Sequence, residues 1–200
     1  MTKVIALAIA LPLLTNLCFS QTKPGDYVSP PALSVHFLLN DFTTPQRIRS
    51  SSLEAVLRNG QLAKVKEMYP GIGISYSTGL CNHIDFNSSL YTSFVKMPLA
   101  EHPDLNDNYL LLESSADLNI KLLTDRYMVD PFASIGIGAS KYKSYYGAFI
   151  PIGAGIKINF FGEAALIIAT QYRIPVTTET SNYHFVHSIG IAGVIRAKKQ

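Results

Sequence analysis

Apolar and polar positions alternate with a period of two along most of this chain. In residues 109–122 (YLLLESSADLNIKL), Leu110, Leu112, Ala116, Leu118, Ile120 and Leu122 share one face. Glu113, Ser115, Asp117, Asn119 and Lys121 share the other. Successive strand side chains point to opposite sides, so this is a strand with one oily and one charged face. The alternation recurs near 32–40, 70–80, 83–94, 128–141, 147–159, 163–174 and 184–195, which predicts eight strands. Leu33, Val35, Phe37 and Leu39 oppose Ser34, His36 and Asn40; Ile150, Ile152, Ala154, Ile156 and Ile158 oppose Gly153, Gly155, Lys157 and Asn159. A soluble sandwich turns its polar faces to water, whereas a membrane barrel turns its apolar faces to lipid and its polar faces to a lumen.

The connections alternate long and short. Segments 41–69, 95–108, 142–146 and 175–183 join strands at one end; 80–82, 123–127 and 160–162 join them at the other. Short inner turns and longer outer loops characterise outer-membrane barrels, and a chain that starts in the periplasm puts the long set outside, where only the third connection, 142–146, is short. Within the first loop, Ser51 and Glu54 have capping-box spacing, and Leu53, Val56 and Leu57 form an apolar helical stripe. One short helical insertion is expected across 51–68, its first helix ending at Gly60.

Composition and targeting favour the membrane frame. Residues 1–20 read as a cleaved signal peptide, with Lys3, an apolar stretch Val4–Leu17 and a small-residue site at Cys18-Phe19-Ser20. The bulk of Leu17 argues against lipid modification of Cys18. Residues 21–31 are Pro-rich and expected to be extended; 32–197 form the barrel. Charged residues are 16% of the chain, below the ~25% of soluble domains. Beyond the signal no stretch approaches the ~18 apolar residues of a membrane helix, so only a closed barrel could span a bilayer. The net charge of +3 is small and dispersed, which argues against a nucleic-acid partner. Cleavage leaves Cys81 without an intramolecular disulfide partner.

The lumen of an eight-stranded barrel is just wide enough for side chains to fill it, so a filled interior is expected. Buried charges need partners. Strand directions place Glu113 and Arg173 in an upper layer, and Asp85, Asp117, Lys121 and Lys157 in a lower one, as a structural network of cross-lumen ion pairs. Aromatics cluster at strand ends. Tyr109, Tyr127, Tyr142, Tyr145, Tyr146, Phe160, Phe161 and Tyr172 are read as interface girdles, as amphipathic rings favour membrane boundaries.

Catalytic and metal sites find little support. His184 and His187, three apart on one strand, face opposite sides, and no acid is evidently placed to orient either. The same geometry disfavours a metal. His36, His83 and His102 stand alone. The glycine pairs Gly136/Gly138 and Gly153/Gly155 precede neither a helix nor a phosphate-loop lysine. No catalytic residue, cofactor or metal is assigned.

Several segments together, LSVHFLLNDF (33–42), SSLEAVLRNG (51–60), PGIGISYSTGLCNHIDFNSSL (70–90), NIKLLTDRY (119–127), GASKYKSYYGAFIPIGAGIKINFF (138–161) and TQYRIPVTTETSNYHFVHSIGI (170–191), resemble the β-barrel domains of OmpA-like outer-membrane proteins from Bacteroidetes-type bacteria. The resemblance implies an all-β, eight-stranded antiparallel transmembrane barrel in the outer membrane of a Gram-negative bacterium. It implies a non-enzymatic structural, envelope-integrity or surface-interaction role. The barrel part alone is expected, without the peptidoglycan-binding domain that many relatives carry. Expected partners are outer-membrane lipid, the barrel-assembly machinery, and a surface or envelope protein at loop 41–69. The alternatives are a lipid-modifying outer-membrane enzyme, a narrow pore and a soluble secreted ligand-binding barrel.

Overall fold

The computed structural model describes residues 28–97, 108–124, 127–160, 163–178 and 180–195. The expected signal peptide, most of the extended segment 21–31, Phe161, His102 and the end of the barrel range lie outside the described residues. Eight antiparallel strands close into a barrel: β1 (Ala32–Asp41), β2 (Tyr69–Cys81), β3 (Ile84–Val95), β4 (Tyr109–Lys121), β5 (Val129–Tyr142), β6 (Tyr145–Phe160), β7 (Ala164–Pro175) and β8 (His184–Val194). Each strand pairs with its sequence neighbour, and β1 closes the cylinder on β8, with Val35 opposite Ile191 and Phe37 opposite Ile189. Closure leaves no strand edge for another chain to pair with.

The period-two reading matches the wall. On β4, Leu110, Leu112 and Ile120 are exposed, while Glu113, Ser115, Asp117 and Lys121 are buried. Val35 is 67% exposed and Ile137 71%. The exterior is thus an aliphatic belt and the interior holds the polar side chains, the reverse of a soluble barrel. Ile84 departs from the pattern: it is buried beside the register shift between Gly79 and Cys81.

Four large inward rings each lie directly across the ladder from a glycine: Tyr91 from Gly73, Phe149 from Gly138, Phe132 from Gly155, and His36 from Gly190. A Cβ at any of these glycines would meet the ring opposite. In so narrow a cylinder, a large side chain is accommodated by deleting the one facing it.

The first long connection differs from expectation. It carries two helices, α1 (Thr43–Ser50) and α2 (Leu53–Arg58), and a 3₁₀ turn at Val65–Glu67. Helix α1 begins before the range 51–68. It lacks an apolar stripe, and its start is held by Asp41, whose Oδ1 accepts from the Thr43 and Thr44 N–H groups at 2.9 Å. The α2 cap is Ser52, which accepts from Ala55 N at 3.2 Å; the hydroxyl of Ser51 instead donates to Arg47 O, closing α1. Gly60 ends α2 as expected, at φ +60°, where a side chain is disfavoured.

Candidate functional site

The inward-facing charges fall into two layers. The upper layer lies toward the long connections. Arg173 of β7 and Glu113 of β4 meet across the lumen, with Nη1 2.5 Å from Oε2 and the side chains 1% and 3% exposed. The guanidinium lies over the rings of Phe149 (4.7 Å) and Tyr91 (5.4 Å). Desolvating a charge is costly, and a carboxylate plus two ring faces offset that cost. His184 joins from β8, with Nε2 3.3 Å from Glu113 Oε1, Nδ1 donating to Asn182 O, and Phe42 stacked on its ring at 4.6 Å. Leu38, Tyr91 and Val186 fill the remaining space at this level. Above them Phe42, Val95, Met97, Leu111 and Tyr142 form a second apolar plug in the mouth.

The lower layer lies toward the short turns. Lys121 of β4 sits 2.9 Å from Asp85 of β3, and Lys157 of β6 lies 3.9 Å from the same carboxylate. Ser29, ahead of β1, threads into this group. Its hydroxyl donates to Asp85 (2.8 Å) and accepts from Lys121 Nζ (2.9 Å) and Lys157 Nζ (3.4 Å). The Ser29 carbonyl accepts from Gly79 N at 3.0 Å, and a Cβ on Gly79 would collide with this strap. Below the upper layer is a cavity of about 140 Å³, bordered by Asp85, Lys121 and Lys157 of the lower layer, by His36, Gln171 and Ser188, and by the small side chains of Ala165, Ala169 and Ala192. Among the described residues, the lumen is therefore closely filled only in its upper half. The expectation of a filled interior fails below because β7 and β8 present alanine and serine where the upper half presents rings.

Two further expectations are corrected. Asp117 does not join the lysines. It accepts from Ser115 (2.8 Å) and Asn87 (3.5 Å), and among the described residues it has no ion-pair partner, because Lys121 is drawn down to Asp85 and Ser29. Tyr142 is not part of a girdle: it points inward, 1% exposed, and its hydroxyl donates to Val95 O and accepts from Met97 N, both at 3.2 Å. Tyr109 and Tyr145 pack on the same mouth cluster. Tyr127, Tyr146 and Phe160 are exposed, and Tyr172 is half-buried on the outer face beside Tyr183 and Phe185.

The histidines divide as their spacing requires, His184 inward and His187 outward. Glu113, however, is an acid beside His184, which strand-local reading missed because the carboxylate comes from across the barrel. No hydroxyl is recorded within hydrogen-bond reach of His184 among the described residues. His187 shares a 2.9 Å hydrogen bond with the Thr170 hydroxyl, with no carboxylate hydrogen-bonded to it among the described residues. His36 bonds Ser75 and His83 bonds the Lys121 carbonyl. Among the described residues no three His, Cys, Asp or Glu side chains converge to hold a metal. Cys81 is buried and forms no disulfide among the described residues.

No family model and no curated protein matches the sequence. The structure is similar to the N-terminal β-barrel domain of Pseudomonas aeruginosa OprF, with TM-score 0.53 and 10% identity over 84% of this chain and 99% of that one. It is similar to the outer membrane protein OprG of P. aeruginosa, with TM-score 0.53 and 10% identity over 86% and 98%. Neisserial surface protein A gives TM-score 0.52 and 11% identity over 84% and 99%. At these identities the likeness is one of fold, and the fold is a closed, eight-stranded, all-antiparallel barrel.

Proposed function

We propose that this chain is a non-enzymatic outer-membrane β-barrel with a structural, envelope-integrity or surface-interaction role. One observation carries the reading: the wall exposes an aliphatic belt while Arg173, Glu113, Asp85 and Lys121 are buried at the centre. In water that arrangement would leave apolar surface hydrated and charges desolvated; in hydrocarbon it is the stable one. The cylinder also satisfies its backbone hydrogen bonds between strands, as a membrane span must. The solved barrels with the same fold include two described by name as outer-membrane or surface proteins, which supports the location. The narrower kinship with OmpA-like barrels of Bacteroidetes-type bacteria draws on the sequence segments alone.

The test is membrane fractionation with gel mobility before and after boiling. The expected result is protein in the membrane fraction whose unboiled band migrates apart from the boiled one. Recovery in the soluble fraction with no mobility shift would overturn the reading.

A second reading, a narrow pore, is favoured by the lumenal cavity, which leaves the upper layers as the main obstruction. Steady single-channel conductance that changes in Arg173→Gln would support it.

A further inference from the structure

The helical connection between β1 and β2 is built firmly, yet presents apolar side chains outward. Arg47 grips Glu67 at 2.7 Å and also donates to Gln61 O. Ala63 N donates to Thr44 Oγ1, and Val56 is buried beneath α2. On this scaffold Leu53, Leu57, Leu62 and Val65 remain exposed, the last at 65%. Isolated exposed apolar residues are ordinary; four on one short, well-anchored connection are a patch.

Charge accompanies the patch. Residues 42–68 contain Arg47, Arg49, Arg58, Lys64 and Lys66 against Glu54 and Glu67. The Arg47–Glu67 pair cancels itself, leaving Arg49, Arg58, Lys64 and Lys66 facing Glu54 alone. Arg49 also fixes the height of the connection. Its guanidinium lies 4.0 Å above the ring of Tyr183, which stacks on Tyr172, which packs on Phe185. Tyr172 and Phe185 belong to the outward faces of β7 and β8. The end of α1 thus rests at the outer rim of the wall, level with its aromatic side chains. A segment with leucines beside lysines and arginines, held at that height, has the make-up of an interfacial segment.

We propose that the α1–α2 connection lies on the phosphate-bearing lipid surface around the barrel, with Leu53, Leu57, Leu62 and Val65 entering the apolar boundary and Arg49, Arg58, Lys64 and Lys66 facing lipid phosphates. The proposal rests on the outer-membrane reading and gives loop 41–69 a lipid partner instead of a protein one. Opposite charge selects the occupant: an excess of cations interleaved with leucine is complementary to an anionic glycolipid leaflet.

The chain contains no tryptophan, so Leu57→Trp supplies a single reporter, with Leu53→Trp as a second and Ser51→Trp as a water-facing reference. Each variant is folded into vesicles of phosphatidylcholine with brominated acyl chains, alone or with lipid A as a minor component, and unboiled gel mobility verifies the barrel first. With lipid A, the expected result is blue-shifted, bromine-quenched emission at positions 57 and 53 and water-like emission at 51. Most of the quenching at 57 should be lost when Arg58, Lys64 and Lys66 are all changed to Gln. Water-like emission at 57 and 53 in both membranes overturns the proposal while leaving the barrel standing. Equal quenching without lipid A overturns it too, because charge would then play no part. A blue shift that grows with protein concentration assigns the patch to a second copy and overturns the proposal. Failure of the mobility check sinks the spanning reading and this proposal with it.

Discussion

The two halves of the lumen are lined by the same eight strands and filled in opposite ways. In the upper half Arg173 lies over the rings of Phe149 and Tyr91 and is clamped by Glu113, which His184 also approaches, with apolar side chains above. In the lower half Asp85, Lys121, Lys157 and Ser29 meet at a cavity that β7 and β8 line largely with alanine and serine. Backbone geometry sets the width; side-chain volume decides whether that width becomes a plug or a hollow. A buried ion pair is also dearer to disturb in the plug, where no polar substitute can reach it.

Breaking the upper pair should have the largest effect. Glu113→Gln or Arg173→Ala is expected to lower stability by about 3–5 kcal/mol, since each strands a buried charge. Urea titration of the folded band in lipid vesicles measures this. Glu113→Gln combined with Arg173→Met should recover most of the loss; if the double variant is no more stable than Arg173→Ala, the clamp does not act as a pair.

Volume is tested next. Gly138→Leu forces the Phe149 ring away and is expected to cost about 1–3 kcal/mol by overpacking. Ala169→Leu adds similar bulk beside the cavity and should stay within about 1 kcal/mol of the parent, as cavity-filling changes do. Equal penalties at the two sites would mean that the halves do not differ in packing.

A smaller effect is expected at Lys157. Its side chain is 20% exposed and its ammonium lies 3.9 Å from Asp85, so Lys157→Met should change stability by less than about 1 kcal/mol in the same titration.

The smallest effect is confined to the outer connection and is set by pH. The hydrogen bond from Arg47 holds the Glu67 carboxyl below its usual range, with the positive charge adding to this. A group depressed in the folded state stabilises fully above its ordinary value, 4.5 here, and that contribution disappears as pH falls through the lower folded value. Brief digestion with an acid-active protease should therefore nick 42–68 faster as pH drops below the ordinary value. Glu67→Gln should be nicked faster at neutral pH and lose the pH dependence. If parent and variant are nicked alike across the range, the pair does not hold the loop.

Much of this architecture could be read from the chain. Alternation and the long–short rhythm of connections lead to a barrel, to its inside and outside, and to the layers that contain Glu113 with Arg173 and Asp85 with Lys121. Tyr142 shows how a weaker rule can mislead. Ala133, Ile135, Ile137 and Ala139 face outward, so period two already turns residue 142 inward; the habit of aromatics to sit at strand ends suggested the contrary. Other features had no local signal. Helix α1 (TTPQRIRS) has no apolar stripe and takes its cap from the last residue of a strand. Neither the approach of Glu113 to His184 nor the placement of Ser29 follows from spacing, because each joins residues brought together only by closure.

The Ser29 strap also bears on the order of assembly. Its hydroxyl touches side chains contributed by β3, β4 and β6, so the segment that leaves the ribosome ahead of every strand has no complete seat until β6 is in place. The earliest-made part of the barrel therefore settles only after most of the strands, and its docking can report that β3, β4 and β6 have been brought together.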